Sequence, residues 1–245
     1  MLLPPEAFLH VPALAGKIIE PEKSLYRLSR DTLAELDRIA QENGYPEQWR
    51  LTDEQRETTR AAVLARRGAD LWVFAYGSLM WDPGVHIVEI RTATLLGFHR
   101  SFCLKSKIGR GSAHKPALMA ALDRGGACHG LALRIPAEHV DRETEILWMR
   151  EMLAGSYVPT FVALETPQGS VEAVTFVINH QSDRYVRLDI EETARLIATG
   201  RGIRGTSLEY LENLADRLDL LGLSDPAIVE LRLRAREYLE RCQQP

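Results

Sequence analysis

The stretch Leu71-Trp72-Val73-Phe74-Ala75-Tyr76-Gly77-Ser78-Leu79-Met80-Trp81 constrains this chain more than any other. Its first six residues are apolar and aromatic, as in a buried strand, and Gly77, Ser78 and then Pro83-Gly84 break regular structure at once. A buried strand must therefore end in an exposed turn. There Gly77 lets backbone approach a ligand with no Cβ in the way, and consecutive N–H groups can point at one carbonyl or anionic oxygen. Ser78 adds a hydroxyl. An ordinary strand-to-loop corner has the same composition, so spacing alone leaves both readings open.

What surrounds this stretch predicts an α+β fold. Strand patterns fall at residues 72–76, in parts of 86–104, and at 118–123, 128–135, 158–165 and 171–178, with Gly125-Gly126 and Pro167-Gln168-Gly169 as hairpin turns between neighbours. Helical patterns fall at 137–153, inside the strand set, and at 191–199, 207–221 and 225–241 after it. Strands with helices mostly trailing imply α+β rather than a doubly wound sheet. Residues 1–70 differ from the domain at 71–245: prolines at 4, 5, 12 and 21 precede two helical patterns. The first runs from an N-cap at Ser29 to Asn43-Gly44, and the second from the capping box Thr52-Asp53-Glu54-Gln55 to Arg67-Gly68. We read residues 1–70 as a helical extension packed on the main domain or on a partner chain.

Composition removes several classes. The net charge of -4, from 30 basic and 34 acidic side chains, supplies no basic surface for nucleic acid. No apolar run is long enough to cross a bilayer, and no basic region followed by a long apolar stretch opens the chain, so neither a membrane nor export is expected. Cys103, Cys128 and Cys242 have no Cys-x-x-Cys spacing, and reduced thiols in a cytoplasm fit best. The seven histidines show no ligand spacing, so no catalytic metal is expected. No Gly-x-Ser-x-Gly elbow suggests a serine hydrolase. The sequence assigns no oligomeric state.

The helix at 137–153 holds the candidate carboxylates. At about 100° per residue, Val140, Ile146, Leu147, Met149, Leu153 and Ala154 form one apolar arc, Glu151 lies at its edge, and Asp141 and Glu145 point away. Glu143 and Arg150 fall inside the arc, placed to pair with each other. An edge carboxylate on an apolar face has its pKa raised by desolvation, which suits a base near neutral pH; equally, an edge glutamate can hold its head in solvent. Lys105, Lys107, Arg110, His114 and Lys115 lie in a segment read as a solvated loop, or as a lid attracting substrate carboxylates. Arg100 and Arg134 can grip carboxylates, but surface positions suit them better.

The residues 73–81 resemble the signature of the ChaC-type γ-glutamylcyclotransferases. Leu96-Gly97-Phe98-His99-Arg100-Ser101-Phe102-Cys103, Gly130-Leu131-Ala132-Leu133-Arg134-Ile135-Pro136, and Leu147-Trp148-Met149-Arg150-Glu151-Met152 before Gly155-Ser156-Tyr157-Val158-Pro159-Thr160 resemble bacterial members in the same order. The likeness spans residues 70–223. It implies a small mixed β-barrel flanked by helices, and substrate binding by Val73, Phe74, Ala75, Tyr76, Gly77, Ser78 and Leu79. It also implies catalysis by Glu151, which follows an arginine before a Gly-x-Tyr turn, and a substrate contact from Tyr210. The alternative for Tyr210 is a half-buried place on a helix face with Leu211 and Leu214. Two departures stand out: Gly202-Ile203-Arg204-Gly205-Thr206-Ser207 lacks the family's proline and asparagine, and Ala75 stands where glycine is frequent.

The chemistry so implied is cyclisation of glutathione to 5-oxoproline with release of cysteinylglycine, with no cofactor. The alternatives are the same cyclisation on another γ-glutamyl amine or peptide, and a non-catalytic module that binds γ-glutamyl metabolites.

Overall fold

The computed structural model describes residues 3–66 and 69–243. Strand β1 (Leu71–Ala75) is the centre of a curled five-stranded sheet of order β2-β3-β1-β5-β4, where β2 is Glu89–Ser106, β3 Ala117–Ile135, β4 Tyr157–Leu164 and β5 Val171–Ile178. β1 pairs antiparallel with β3 and parallel with β5, so the sheet is mixed. Thr94 of β2 and Glu165, just past β4, exchange N–H···O bonds of 2.9 and 3.0 Å, which brings the two ends of the curl together. The apolar run of β1 has a simple cause. Val73 faces one hydrophobic cluster with Leu131 and Leu133, while Phe74 faces another with Leu95, Leu122 and Val162, so both faces of the strand are buried.

Gly125-Gly126 is not a hairpin turn. β3 runs through it without stopping, and the two glycines adopt φ of 102° and 68° where the register with β2 shifts between Leu96 and Phe98. β2 offers an unbroken partner, so the glycines form an irregularity inside the ladder rather than an end to it. The connection between β2 and β3 lies instead at residues 107–116. Pro167-Gln168-Gly169 does join β4 to β5, which pair from Leu164↔Val171 to Tyr157↔Ile178.

Six α-helices are described. α1 (Arg30–Glu42) starts where Ser29 caps it, accepting from the Thr32 N–H. α2 (Asp53–Leu64) starts with the complete Thr52/Gln55 capping box; its expected stop at Arg67-Gly68 lies outside the described residues. α3 (Val140–Glu151) comes after a 3₁₀ turn at Ala137–His139, and α4 (Ile190–Thr199), α5 (Ser207–Leu220) and α6 (Pro226–Gln243) come after the sheet. Two short strands, β6 (Arg201–Gly202) and β7 (Gly205–Thr206), form the hairpin before α5. No described helix is long and apolar enough to cross a membrane.

The N-terminal residues share a core with the sheet and with α3. Leu3, Val11, Leu14, Ile18 and Val63 belong to one buried cluster with Val73, Leu131 and Trp148, and the Ile19 N–H donates to the Trp81 carbonyl at 2.8 Å. Trp148 on α3 donates its indole N–H to Thr59 Oγ1 on α2 at 3.0 Å, fixing those two helices together.

Arg100 is not at the surface. Its side chain is fully buried, donating from Nε to the Tyr76 carbonyl at 2.6 Å and from Nη2 to the His129 carbonyl at 2.6 Å, with Asp225 as its carboxylate. The charge lies inward because the Tyr76 carbonyl, one residue past the end of the β1 ladder, needs a donor. Arg134 is half-buried and engaged with Asp70 and Glu89 at 2.8 and 2.9 Å. Replacing Arg100 by methionine strands two carbonyls and a carboxylate. We expect a loss of about 3 kcal/mol, read as a lower urea midpoint at constant slope.

Candidate active site

Tyr76 is held at both ends. Its carbonyl takes the Arg100 bond, and its phenol donates to the Phe176 carbonyl at 2.8 Å. The chain then leaves the sheet at Gly77 and makes a single 3₁₀ turn, Ser78–Met80, closed by Met80 N–H to Gly77 O and Asp82 N–H to Ser78 O, each 2.9 Å. The first amides of such a turn precede its first hydrogen bond and have no acceptor within it. Glycine is required at 77 by space: a Cβ there would lie 2.6 Å from the Tyr210 hydroxyl. Tyr210, in the first turn of α5, is buried and packed edge-on between Trp81 and Phe102, at ring distances of 5.4 and 5.9 Å. Burial drives its phenol well above its ordinary pKa, so it is a neutral hydrogen-bonding group.

The last turn of α3 supplies Arg150 and Glu151. Arg150 donates to the Asp82 carbonyl at 2.6 Å and to Ser78 Oγ at 2.8 Å, and its Nε meets Glu151 Oε1 at 2.9 Å. Burial raises the Glu151 carboxyl above its usual 4.5, and the Arg150 charge pulls only partly against that. Glu143 does not pair with Arg150. It is held by Arg27, with bonds of 2.7 and 3.1 Å, and by the His86 N–H at 3.0 Å, since farther along α3 the Ser78 turn already occupies Arg150.

A cavity of about 160 Å³ opens between these elements. Ser78, Glu151 and Tyr210 line it together, from residues far apart in sequence. Val73, Phe74 and Ala75 do not reach it, being core residues of β1, and Tyr76, Gly77 and Leu79 stand behind its wall as the support of the turn. Arg150, Ser156, Tyr157, Arg184 and Arg204 also line it, as do Tyr26, Leu28, Leu36 and Trp49 from the N-terminal region. Of these, Arg150 had a sequence signal as a charge inside an apolar arc, Ser156 and Tyr157 in the Gly-Ser-Tyr segment, and Arg204 in the glycine-rich segment before α5. Tyr26 had none. The 107–116 loop is divided: Lys107, His114 and Lys115 are exposed, whereas Arg110 turns inward against the ring of Tyr210 at 5.7 Å.

Comparison with known proteins bears on this geometry. A sequence model of ChaC-like proteins matches residues 71–238. The chain belongs to the ChaC-like family. It is 40% identical over 190 residues to the glutathione-specific γ-glutamylcyclotransferase of Escherichia coli (strain K12), covering 76% of this chain and 82% of that one. It is 32% identical over 173 residues to glutathione-specific γ-glutamylcyclotransferase 1 of Homo sapiens, covering 67% and 78%. The crystal structure of a γ-glutamyl cyclotransferase specific to glutathione from yeast superposes with a TM-score of 0.65 at 21% identity, over 70% of this chain and 97% of that one. The family's fold is thus present here, as a mixed curled sheet with flanking helices.

The contact between Gly77 and Tyr210 is testable by a double-mutant cycle. Gly77→Ala alone should destabilise the protein by about 1–3 kcal/mol. In a Tyr210→Phe background, which removes the clashing oxygen, the same change should cost under about 0.5 kcal/mol in urea unfolding. Equal costs in both backgrounds would show that the phenol is not what excludes a side chain at 77.

Proposed function

We propose that this chain is a γ-glutamylcyclotransferase acting on glutathione, with Glu151 as the proton-transferring group. The observation that carries the reading is the meeting of one desolvated carboxylate with the Ser78 turn inside a single small cavity. The names of the E. coli, human and yeast relatives support the substrate.

The reaction asks little of the protein beyond placement. The nucleophile, the α-amine, is already joined to the γ-carbonyl that it attacks, so holding the glutamyl chain folded supplies most of the advantage of proximity. Glu151 as carboxylate takes a proton from the α-ammonium. The freed amine adds to the γ-carbon, and the carbonyl oxygen gathers negative charge beside the first amides of the Ser78 turn and the Ser78 hydroxyl. The bond to the cysteinyl nitrogen then breaks. The two protons shed by the α-nitrogen finish on the leaving amine, giving 5-oxoproline and cysteinylglycine with balanced charge. The Tyr210 phenol, neutral at working pH, is suited to donate a hydrogen bond to the substrate at the same turn.

Within this reading residues 71–245 form the catalytic domain and residues 1–70 an extension that lines its cavity, a division supported by a family match that begins at residue 71. Three unpaired cysteines support a reducing, cytoplasmic setting.

Two results are expected. Glu151→Gln, with unchanged thermal unfolding, should lower 5-oxoproline formation by roughly 10²–10⁴-fold, measured by mass spectrometry. In the wild type, kcat/KM for glutathione should fall as pH drops through the raised Glu151 pKa, so that the acid limb has its midpoint above 4.5. The sign comes from the base being the deprotonated form. Full activity in Glu151→Gln would remove the residue from the chemistry.

A further inference from the structure

Arg110 and Arg204 are neighbouring guanidiniums without adequate counter-charge. Arg204 donates to the Leu25 carbonyl at 2.6 Å and stacks over the ring of Tyr26 at 4.9 Å, and it has no carboxylate at ion-pair distance among the described residues. Its burial disfavours its charge; the charges of Arg150 and Arg110 act in the same direction, and Tyr26 and Asp82 oppose them only in part. Arg110 donates to the Thr206 carbonyl at 3.1 Å, while its Nε is buried with no acceptor. Its nearest carboxylate, Glu209 at 3.7 Å, already accepts from the Thr206 N–H at 2.8 Å. Two adjacent half-buried cations so placed attract an anion that can join them.

Their position says which anion. Both line the inner cavity with Ser78 and Glu151, and both also line an outer cavity of about 610 Å³ with Lys17, Lys23 and Arg217, against which stand Asp82 and Asp216. They form part of the wall between the two. At about 160 Å³ the inner cavity is smaller than the roughly 300 Å³ at which small-molecule sites usually begin, while the outer one is of ordinary size. A γ-glutamyl peptide with its glutamyl end beside Ser78 and Glu151 reaches the larger outer cavity by passing this wall. Of the other arginines of the inner cavity, Arg150 pairs with Glu151, while Arg184 donates to the Lys105 carbonyl and Ser106 Oγ at 3.3 and 3.2 Å and, unlike Arg110 and Arg204, does not line the outer cavity.

We propose that Arg110 and Arg204 form a distal carboxylate subsite that recognises a free carboxylate on the leaving-amine side of the substrate. Leu25 and Tyr26 are then positioning residues that hold Arg204 toward it, which gives the N-terminal region a part in substrate choice. The inference rests on the cyclotransferase reading above and adds to it the basis for preferring a peptide to a simple γ-glutamyl amide.

The test compares glutathione with its C-terminal amide, which has the same shape and no distal charge, and with γ-glutamyl methylamide. In the wild type, kcat/KM for the acid should exceed that for its amide roughly tenfold or more, chiefly through KM. Arg204→Gln and Arg110→Gln should each bring that ratio toward one by raising KM for the acid, and Arg204→Lys should keep part of it, which separates loss of charge from loss of fold. A wild-type ratio near one, or a ratio that survives both glutamine variants, overturns the subsite. An equal loss on all three substrates, methylamide included, overturns it as well, assigning the arginines to the glutamyl α-carboxylate. If the wild type turns over no γ-glutamyl amide, the cyclotransferase reading fails; calorimetric titration with glutathione and its amide then judges the subsite alone. Tighter binding of the acid upholds it and equal binding overturns it.

Discussion

The guanidinium of Arg150 is the interaction on which the rest of the site depends. It holds the Ser78 hydroxyl and the Asp82 carbonyl, so the turn after β1 is closed against the end of α3. It pairs with Glu151, so the carboxylate is aimed and kept partly ionisable in a place that would otherwise favour its neutral form. Its outer face stacks on Tyr26 at 4.4 Å, which docks the N-terminal region over the same cavity. Only a planar cation with donors on three sides can do this at one point; a lysine would supply the charge and lose the geometry.

The same device recurs where the chain must fix irregular backbone. Arg100 satisfies the Tyr76 and His129 carbonyls, and Arg27 binds both the Gly84 carbonyl and Glu143. A carbonyl turned inward without a ladder partner needs a donor from elsewhere in the fold. Arg27, Arg100 and Arg150 each have a carboxylate at ion-pair distance, and Arg204 does not, which sets it apart from these structural arginines. Beside a cavity, a cation held by a carbonyl and a ring rather than by a carboxylate is free to meet an anionic ligand.

Much of the architecture was legible in order along the chain. β1, the Ser29 cap, the Thr52 capping box and α3 with Glu151 at its end all depend on neighbours within a few residues, and local periodicity or capping chemistry reports them. The Gly125-Gly126 irregularity was misread as a turn because two glycines look alike in both settings, and only the continuous partner strand tells them apart. Glu143 was rightly singled out as a charge on an apolar face, yet its partner came from 116 residues away. Arg100 was assigned to the surface since alternation along a strand cannot reveal an unsatisfied carbonyl on a neighbouring segment.

By itself the sequence determined the α+β class, the strand that ends in the Gly77-Ser78 turn, the helix that carries Arg150-Glu151, and the resemblance that named a chemistry. Only the tertiary structure decided that Ser78, Glu151 and Tyr210 share a cavity, that Val73 to Ala75 stay in the core, and that Tyr26 and Arg204 enclose the site from opposite parts of the chain. The reason is physical. Strand and helix signals come from hydrogen bonds and burial that repeat every two or three to four residues, whereas a site comes from contacts such as Arg204 to Leu25, 179 residues apart, which leave no period in the sequence to read.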